Sequence, residues 1–184
     1  MVLRLQKLNS QGLLETIDNF LKEDAFNKCI AQKFGVALDE TTRDCGIQKY
    51  LDGYEISPHA DSRRKALTYM VNINTCDNSE DINYHTHYCI FKNNTKYVQD
   101  LWNSRSDIAR HWVPWDWCET TKKQTHNNSI VIFSPDNDTM HAVKTDYNHL
   151  SCQRTQLYGN LWYKRKPKRI PYDWKKLKAY KESS

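Results

Sequence analysis

Two side chains that bind metals stand two residues apart, at His59 and Asp61 in the stretch YLDGYEISPHADSRRKALTYMVNIN (50–74). If the chain there is extended, both point to one face, because side chains two apart in a strand are on the same side. An imidazole and a carboxylate could then grip a single ion from one edge. Bare, the pair carries little weight: with seven His and fifteen Asp in 184 residues, chance supplies about 0.6 such pairs. Its context carries more, since Tyr50, Gly53, Ile56 and His59 recur every third residue and an alternating run follows. A third ligand must come from elsewhere. His141 is the best candidate, after the apolar run SIVIF (129–133) and the turn cluster SPDND. Arg154 comes thirteen residues later, at the start of RTQLYGNLWY.

These residues need elements to position them. Residues 11–34 place Leu14, Ile17 and Leu21 on one helical face, with Ile30 and Phe34 extending the pattern, which predicts one or two amphipathic helices against a core. ALTYMVNIN (66–74) and HTHYCIF (85–91) alternate as strands do and are rich in β-branched and aromatic types. SIVIF is suited to a buried strand, and QLYGNLWY (156–163) to a last one. Helices first and then several short strands between polar turns predict a β-sandwich or barrel with a helical buttress.

The bulk properties agree with one globular domain. The chain has 184 residues and 22 aromatics (six Trp, eleven Tyr, five Phe), enough for a real core despite a mean hydropathy of −0.85. No run of 18 apolar residues exists, so no membrane span is expected. The first residues show no leader pattern. Six scattered cysteines without a CxxC argue against a zinc ribbon and a disulfide framework; reduced thiols and a cytoplasmic location are the expectation. The net charge of +5 sits in the tail: residues 164–184 carry +7 and the rest −2. That divides the chain into a domain over 1–163 and a basic tail over 164–184.

The pieces YLDGYEISPHAD, LTYMVNIN, NNSIVIFSPDNDTMHAV and QRTQLYGNLWY, in this order and spacing, resemble the Fe(II)- and 2-oxoglutarate-dependent oxygenases near the prolyl-4-hydroxylase-like branch. The helical lead IDNFLKEDAFNKCI is also similar to that branch's opening, so the resemblance covers residues 15–163. It implies a mainly β fold with N-terminal helices, a double-stranded β-helix of the jelly-roll, cupin-like kind. It implies a hydroxylase that couples O2 and 2-oxoglutarate to oxidation of an unactivated C–H bond, releasing succinate and CO2, with ascorbate as an accessory reductant. The substrate would be peptidyl or a small molecule. Two histidines and one carboxylate leave three positions open on an octahedral ion, as non-haem Fe(II) chemistry needs.

By the same resemblance His59, Asp61 and His141 hold the metal. Arg154 pairs with the far carboxylate of 2-oxoglutarate, a task for a planar guanidinium. Thr155 adds a hydroxyl contact, Tyr50 matches a family tyrosine that donates to the cosubstrate, and Asn72 stands where the family has a polar contact. Tyr69 is the alternative to Asn72 on the opposite face of that strand. His149 competes with His141 but leaves only five residues before Arg154, against the family spacing. His85 and His87 form an HxH; they are read as same-face strand residues at the mouth of the site. The segment 111–128 holds three tryptophans. Trp115 and Trp117, with His87, are expected to line the substrate side.

The tail interleaves cations with Tyr172, Trp174 and Tyr180, a composition that can bind nucleic acid. The AlkB-type demethylases share the HxD context but carry a second arginine six residues after the first, where this chain has Asn160. Demethylation, and nucleic acid as a partner, therefore rank behind hydroxylation. A non-catalytic metal barrel or a cupin-like isomerase would keep the three ligands and have no need of Arg154. Asp61 disfavours halogenation, whose enzymes lack that carboxylate.

Overall fold

The computed structural model describes residues 2–5, 12–144 and 153–165. His149 and the basic tail beyond Arg165, with the nucleic-acid reading attached to it, lie outside the described residues.

Most of the ordered backbone is antiparallel β-sheet. One sheet contains β1 (Val2–Leu5), β2 (Thr41–Tyr50), β9 (Thr155–Tyr163), β4 (Lys65–Asn72) and β7 (Ile130–Phe133), in that spatial order. The other contains β3 (Ile56–Ala60), β8 (Met140–Val143), β5 (Thr86–Phe91) and β6 (Cys118–Gln124). Two helices, α1 (Leu13–Lys22) and α2 (Asp24–Lys33), cover the five-stranded sheet, and α3 (Tyr97–Ser104) packs on the four-stranded one.

The helical lead is two helices because Glu23 is extended (φ −62°, ψ 142°) between them. Buried Asn27 holds that break: its side-chain amide donates to the carbonyls of Leu21 (2.9 Å) and Glu23 (2.8 Å), tying the end of α1 to the start of α2. From α1 and α2, Ile17, Leu21, Phe26 and Ile30 meet Leu67, Tyr69, Leu157 and Leu161 of β4 and β9 in one apolar core. Gly159 lies opposite Tyr69 across the β4–β9 pair, and an added Cβ would stand 2.0 Å from the phenol ring. The glycine therefore admits the aromatic ring. A second core forms on the outer face of the other sheet, where Ala60, Cys89, Phe91, Met140 and Ala142 meet Val98 and Trp102 of α3.

The inner face of the five-stranded sheet is polar. Gln48, Thr68, Asn72, Arg154, Gln156 and Asn160 are all buried there. Alternation turns their neighbours to the helices and these residues to the space between the sheets.

Among the described residues, one cysteine departs from the expectation of reduced thiols. Cys29, Cys45, Cys89 and Cys118 are free, but Cys76 is disulfide-bonded. Among the described residues, no helix is long and apolar enough to cross a membrane.

Candidate metal centre and anion site

β3 is an edge strand, the place where a proline such as Pro58 is tolerated. It pairs with β8 so that His59 lies directly opposite His141. Directly opposed side chains of an antiparallel pair share a face, and the two imidazole centroids are 4.4 Å apart. Asp61 follows the strand end. One ligand atom from each of His59, Asp61 and His141 lies within 4.8 Å of the others.

The donors are in the protonation states a divalent cation needs. Burial lowers the His59 imidazole and pushes His141 down to about 3, which keeps both neutral near pH 7. Burial by itself would raise the Asp61 carboxyl, but His141, Lys65 and His59 outweigh it and hold the group below its usual value. His59 Nδ1 is 2.9 Å from the Ser57 carbonyl, so it carries the proton and leaves the Nε2 lone pair free. His141 Nδ1 is buried without a hydrogen-bond partner. Two neutral imidazoles and one carboxylate, with such an orphaned ring nitrogen, fit a first-row divalent ion.

Beside this cluster, a cavity of about 140 Å³ runs between the sheets, with Arg154 among its lining. Arg154 is 2% exposed. Its Nη1 donates to the Tyr84 carbonyl (3.0 Å) and its Nη2 to Thr86 Oγ1 (2.5 Å), while Nε has no partner. The guanidinium carbon lies 4.2 Å from the centre of the Tyr50 ring. Among the described residues no carboxylate pairs with it. A buried cation satisfied only by neutral acceptors is costly, and an anion in the cavity would offset that cost.

The remaining expected residues divide. Tyr50 lines the cavity, but its hydroxyl donates to Gln156 Oε1 (2.9 Å) and accepts from Gln48 Nε2 (2.5 Å). Its face, rather than its proton, is what it offers. Asn72 is on the inner side of β4, yet outside the cavity lining. Its amide donates to the carbonyls of Gln124 (2.8 Å) and His126 (3.3 Å), and its oxygen accepts from Gln156 (2.8 Å). Tyr69 faces the helices. Thr155 also misses the cavity, because it alternates with Arg154 and Gln156; its hydroxyl donates to the Gln153 carbonyl (3.2 Å).

The substrate residues expected in the tryptophan segment are elsewhere too. His87 follows inward Thr86 and so points outward, edge-on to Trp115 (centroids 5.4 Å) and 3.0 Å from Thr120 Oγ1. Trp115 and Trp117 pack on the core under α3, outside the cavity lining. His85 is turned to the Glu80 carbonyl (3.2 Å).

Sequence reasoning passed over Lys65, Thr68, Tyr158 and Asn160, all of which line the cavity. A signal was available for the last two: they alternate with Arg154 along QRTQLYGNLWY.

No family model matches the chain, and no curated protein matches it by sequence. Among solved structures it is similar to a prolyl-4-hydroxylase from Pseudomonas putida, with a TM-score of 0.49 and 12% identity over 89% of this chain and 72% of that one. It is also similar to EvdO2 from Micromonospora carbonacea var. aurantiaca, with a TM-score of 0.45 and 10% identity over 81% of this chain and 64% of that one.

Proposed function

We propose that the chain is an Fe(II)- and 2-oxoglutarate-dependent dioxygenase of the double-stranded β-helix type, hydroxylating a peptidyl or small-molecule substrate. The observation that carries this reading is Arg154: a buried guanidinium with no counter-ion among the described residues, in the wall of a cavity also lined by His59, Asp61 and His141. A metal-binding barrel of another kind would have no use for it. When bound, ferrous iron would activate O2, one oxygen atom going into 2-oxoglutarate to give succinate and CO2 and the other into a substrate C–H bond.

The protein's share is binding, orientation and exclusion of water. His59 offers Nε2, because Ser57 holds its Nδ1 proton, and His141 and Asp61 complete the ligand set. Among the described residues, Arg154 has three N–H groups beyond those given to Tyr84 and Thr86. These are available to a carboxylate entering the cavity. Tyr50 supports the guanidinium from one face, and Gln48 and Gln156 fix Tyr50 through its hydroxyl. Deep burial of the anion site strengthens the attraction between charges there.

The test is conversion of 2-oxoglutarate to succinate by protein loaded with Fe(II) in the absence of air and then given O2. The wild type is expected to form succinate above the buffer rate, and Asp61→Ala to lose that activity. Succinate at the buffer rate from iron-loaded wild type would overturn the proposal.

A further inference from the structure

We propose that Lys65 fixes how Asp61 binds the metal, restricting it to one oxygen. This rests on the reading of His59, Asp61 and His141 as ligands. Lys65 Nζ is 2.9 Å from Asp61 Oδ1, in a pair whose side chains are only 15% and 12% exposed. The ammonium is also held 5.3 Å from the Trp162 ring centre. Oδ1 is therefore committed.

The other oxygen is not. Thr68 Oγ1 approaches Asp61 Oδ2 at 3.4 Å, but its single proton has a nearer acceptor in Asn160 Oδ1 at 3.0 Å. Asp44 fixes which way the Asn160 amide faces, because its carboxylate accepts from Asn160 Nδ2 (3.3 Å) and leaves the amide oxygen to Thr68. Arg110 donates to the Asp61 carbonyl and anchors the backbone. Oδ2 remains as the oxygen free to bind a cation.

The consequence is a count of coordination positions. With one oxygen from Asp61, an octahedral ion keeps three positions beyond the protein. With both oxygens it keeps two, which a chelating 2-oxo acid fills, leaving none for a second reactant. Lys65 is thus a positioning residue that acts through Asp61.

Mn(II) is the probe, because its bound, exchanging waters raise the relaxation rate of water protons in proportion to their number. Wild type, Lys65→Met and Lys65→Gln would be titrated with Mn(II), with folding checked by circular dichroism. Wild type should hold three waters and keep one after 2-oxoglutarate is added. Lys65→Met should bind Mn(II) at least as tightly, since a repelling cation is gone. Its per-site relaxivity should fall by about a third, and nearly to the outer-sphere level with 2-oxoglutarate. Lys65→Gln keeps an N–H donor and should match the wild type. Unchanged relaxivity in a folded Lys65→Met overturns the role of Lys65 and leaves the ligand set standing, as does a Gln variant that behaves like Met. Loss of Mn(II) binding in Lys65→Met also overturns it, since Lys65 would then be needed for affinity itself. Failure of the wild type to bind Mn(II) at millimolar concentration overturns the ligand set and the inference together.

Discussion

Replacing Arg154 by methionine separates the proposed anion-binding role from a structural one. Methionine fills much of the same space without charge or donors. In the unliganded protein two effects oppose each other. The Tyr84 carbonyl and the Thr86 hydroxyl each lose a donor, at about 1–3 kcal/mol apiece if left unsatisfied. Removing a buried charge that has no counter-ion among the described residues returns a penalty of several kcal/mol. The unliganded Tm is therefore expected to stay within about 4 °C of wild type, given roughly 2–4 °C per kcal/mol for a chain of this length. Binding should change far more. On the proposed reading, 2-oxoglutarate at 100 times its Kd should stabilise the metal-loaded wild type by about 2.7 kcal/mol, a Tm rise of roughly 5–11 °C. Truncating one partner of a buried charge pair costs about 2–5 kcal/mol, or on the order of 30-fold to several thousand-fold in Kd. At the same ligand concentration the variant then gains less than about 1 kcal/mol, a Tm rise below about 4 °C. Thermal melts of Co(II)-loaded protein with and without 2-oxoglutarate measure both quantities. A variant that loses more than about 10 °C unliganded while keeping the full ligand increment would make Arg154 a structural cation and refute the reasoning.

Other expectations follow from the same packing. Gly159→Ala should lower the urea midpoint by an amount equivalent to about 3 kcal/mol, because its Cβ meets the Tyr69 ring at 2.0 Å and that ring is pinned edge-on by Phe26; Tyr69→Leu should recover part of the loss, and an unchanged midpoint would contradict the close approach. Leu67→Ala, fully buried between sheet and helices, should cost about 2–5 kcal/mol in denaturant unfolding, whereas Leu13→Ala, 74% exposed, should stay within about 0.5 kcal/mol. Trp115→Ala should leave 2-oxoglutarate affinity within about twofold of wild type by calorimetry, since Trp115 is outside the cavity; a tenfold loss would return it to the site. Burial raises the Tyr50 phenol to about 12 and raises those of Tyr69 and Tyr88 as well. Their stabilisation is complete below the unfolded value near 10 and is lost as pH climbs through the folded values, so stability should fall by up to about 1.4 kcal/mol per pH unit per tyrosine above pH 10, and Tyr50→Phe should flatten that slope.

The parts of the fold that could be read from sequence are those with one apolar face. β4 and β9 turn Leu67, Tyr69, Leu157 and Leu161 to the helices, and α1 answers with Ile17 and Leu21. β2 was missed because its inner residues are Gln48 and Tyr50 beside a glycine, and its outer ones are exposed (Arg43, Lys49) or only half-buried (Cys45, Ile47). A strand that lines a polar cavity has no hydrophobic alternation to find. β6, CETTKKQ, buries only its two ends, and its lysines suit an exposed sheet edge. The tryptophan segment misled for a related reason: bulky aromatics between periodic runs suit a core lid as well as a substrate wall, and only the outward side of β5 decides for the lid.

At the candidate site, residue type was legible and partnership was not. The HxD spacing put His59 and Asp61 on one face, but the register that sets His59 against His141 joins strands 82 residues apart and is a property of the folded sheet. The resemblance supplied Arg154; that no acid among the described residues accompanies it could be seen only once the strands were assembled. The failures of Thr155 and Asn72 have physical causes of different kinds. Thr155 fails by parity, since a residue next to an inward arginine in a regular strand must face outward. Asn72 passes parity and fails by saturation: two carbonyls and Gln156 already satisfy its amide. A buried polar residue is available to a ligand only if its own hydrogen bonds are incomplete. That criterion separates Asn72, with its bonds made, from Arg154 and Asp61 Oδ2, with bonds left to make, and it marks those two as the candidate anion-binding and metal-facing groups.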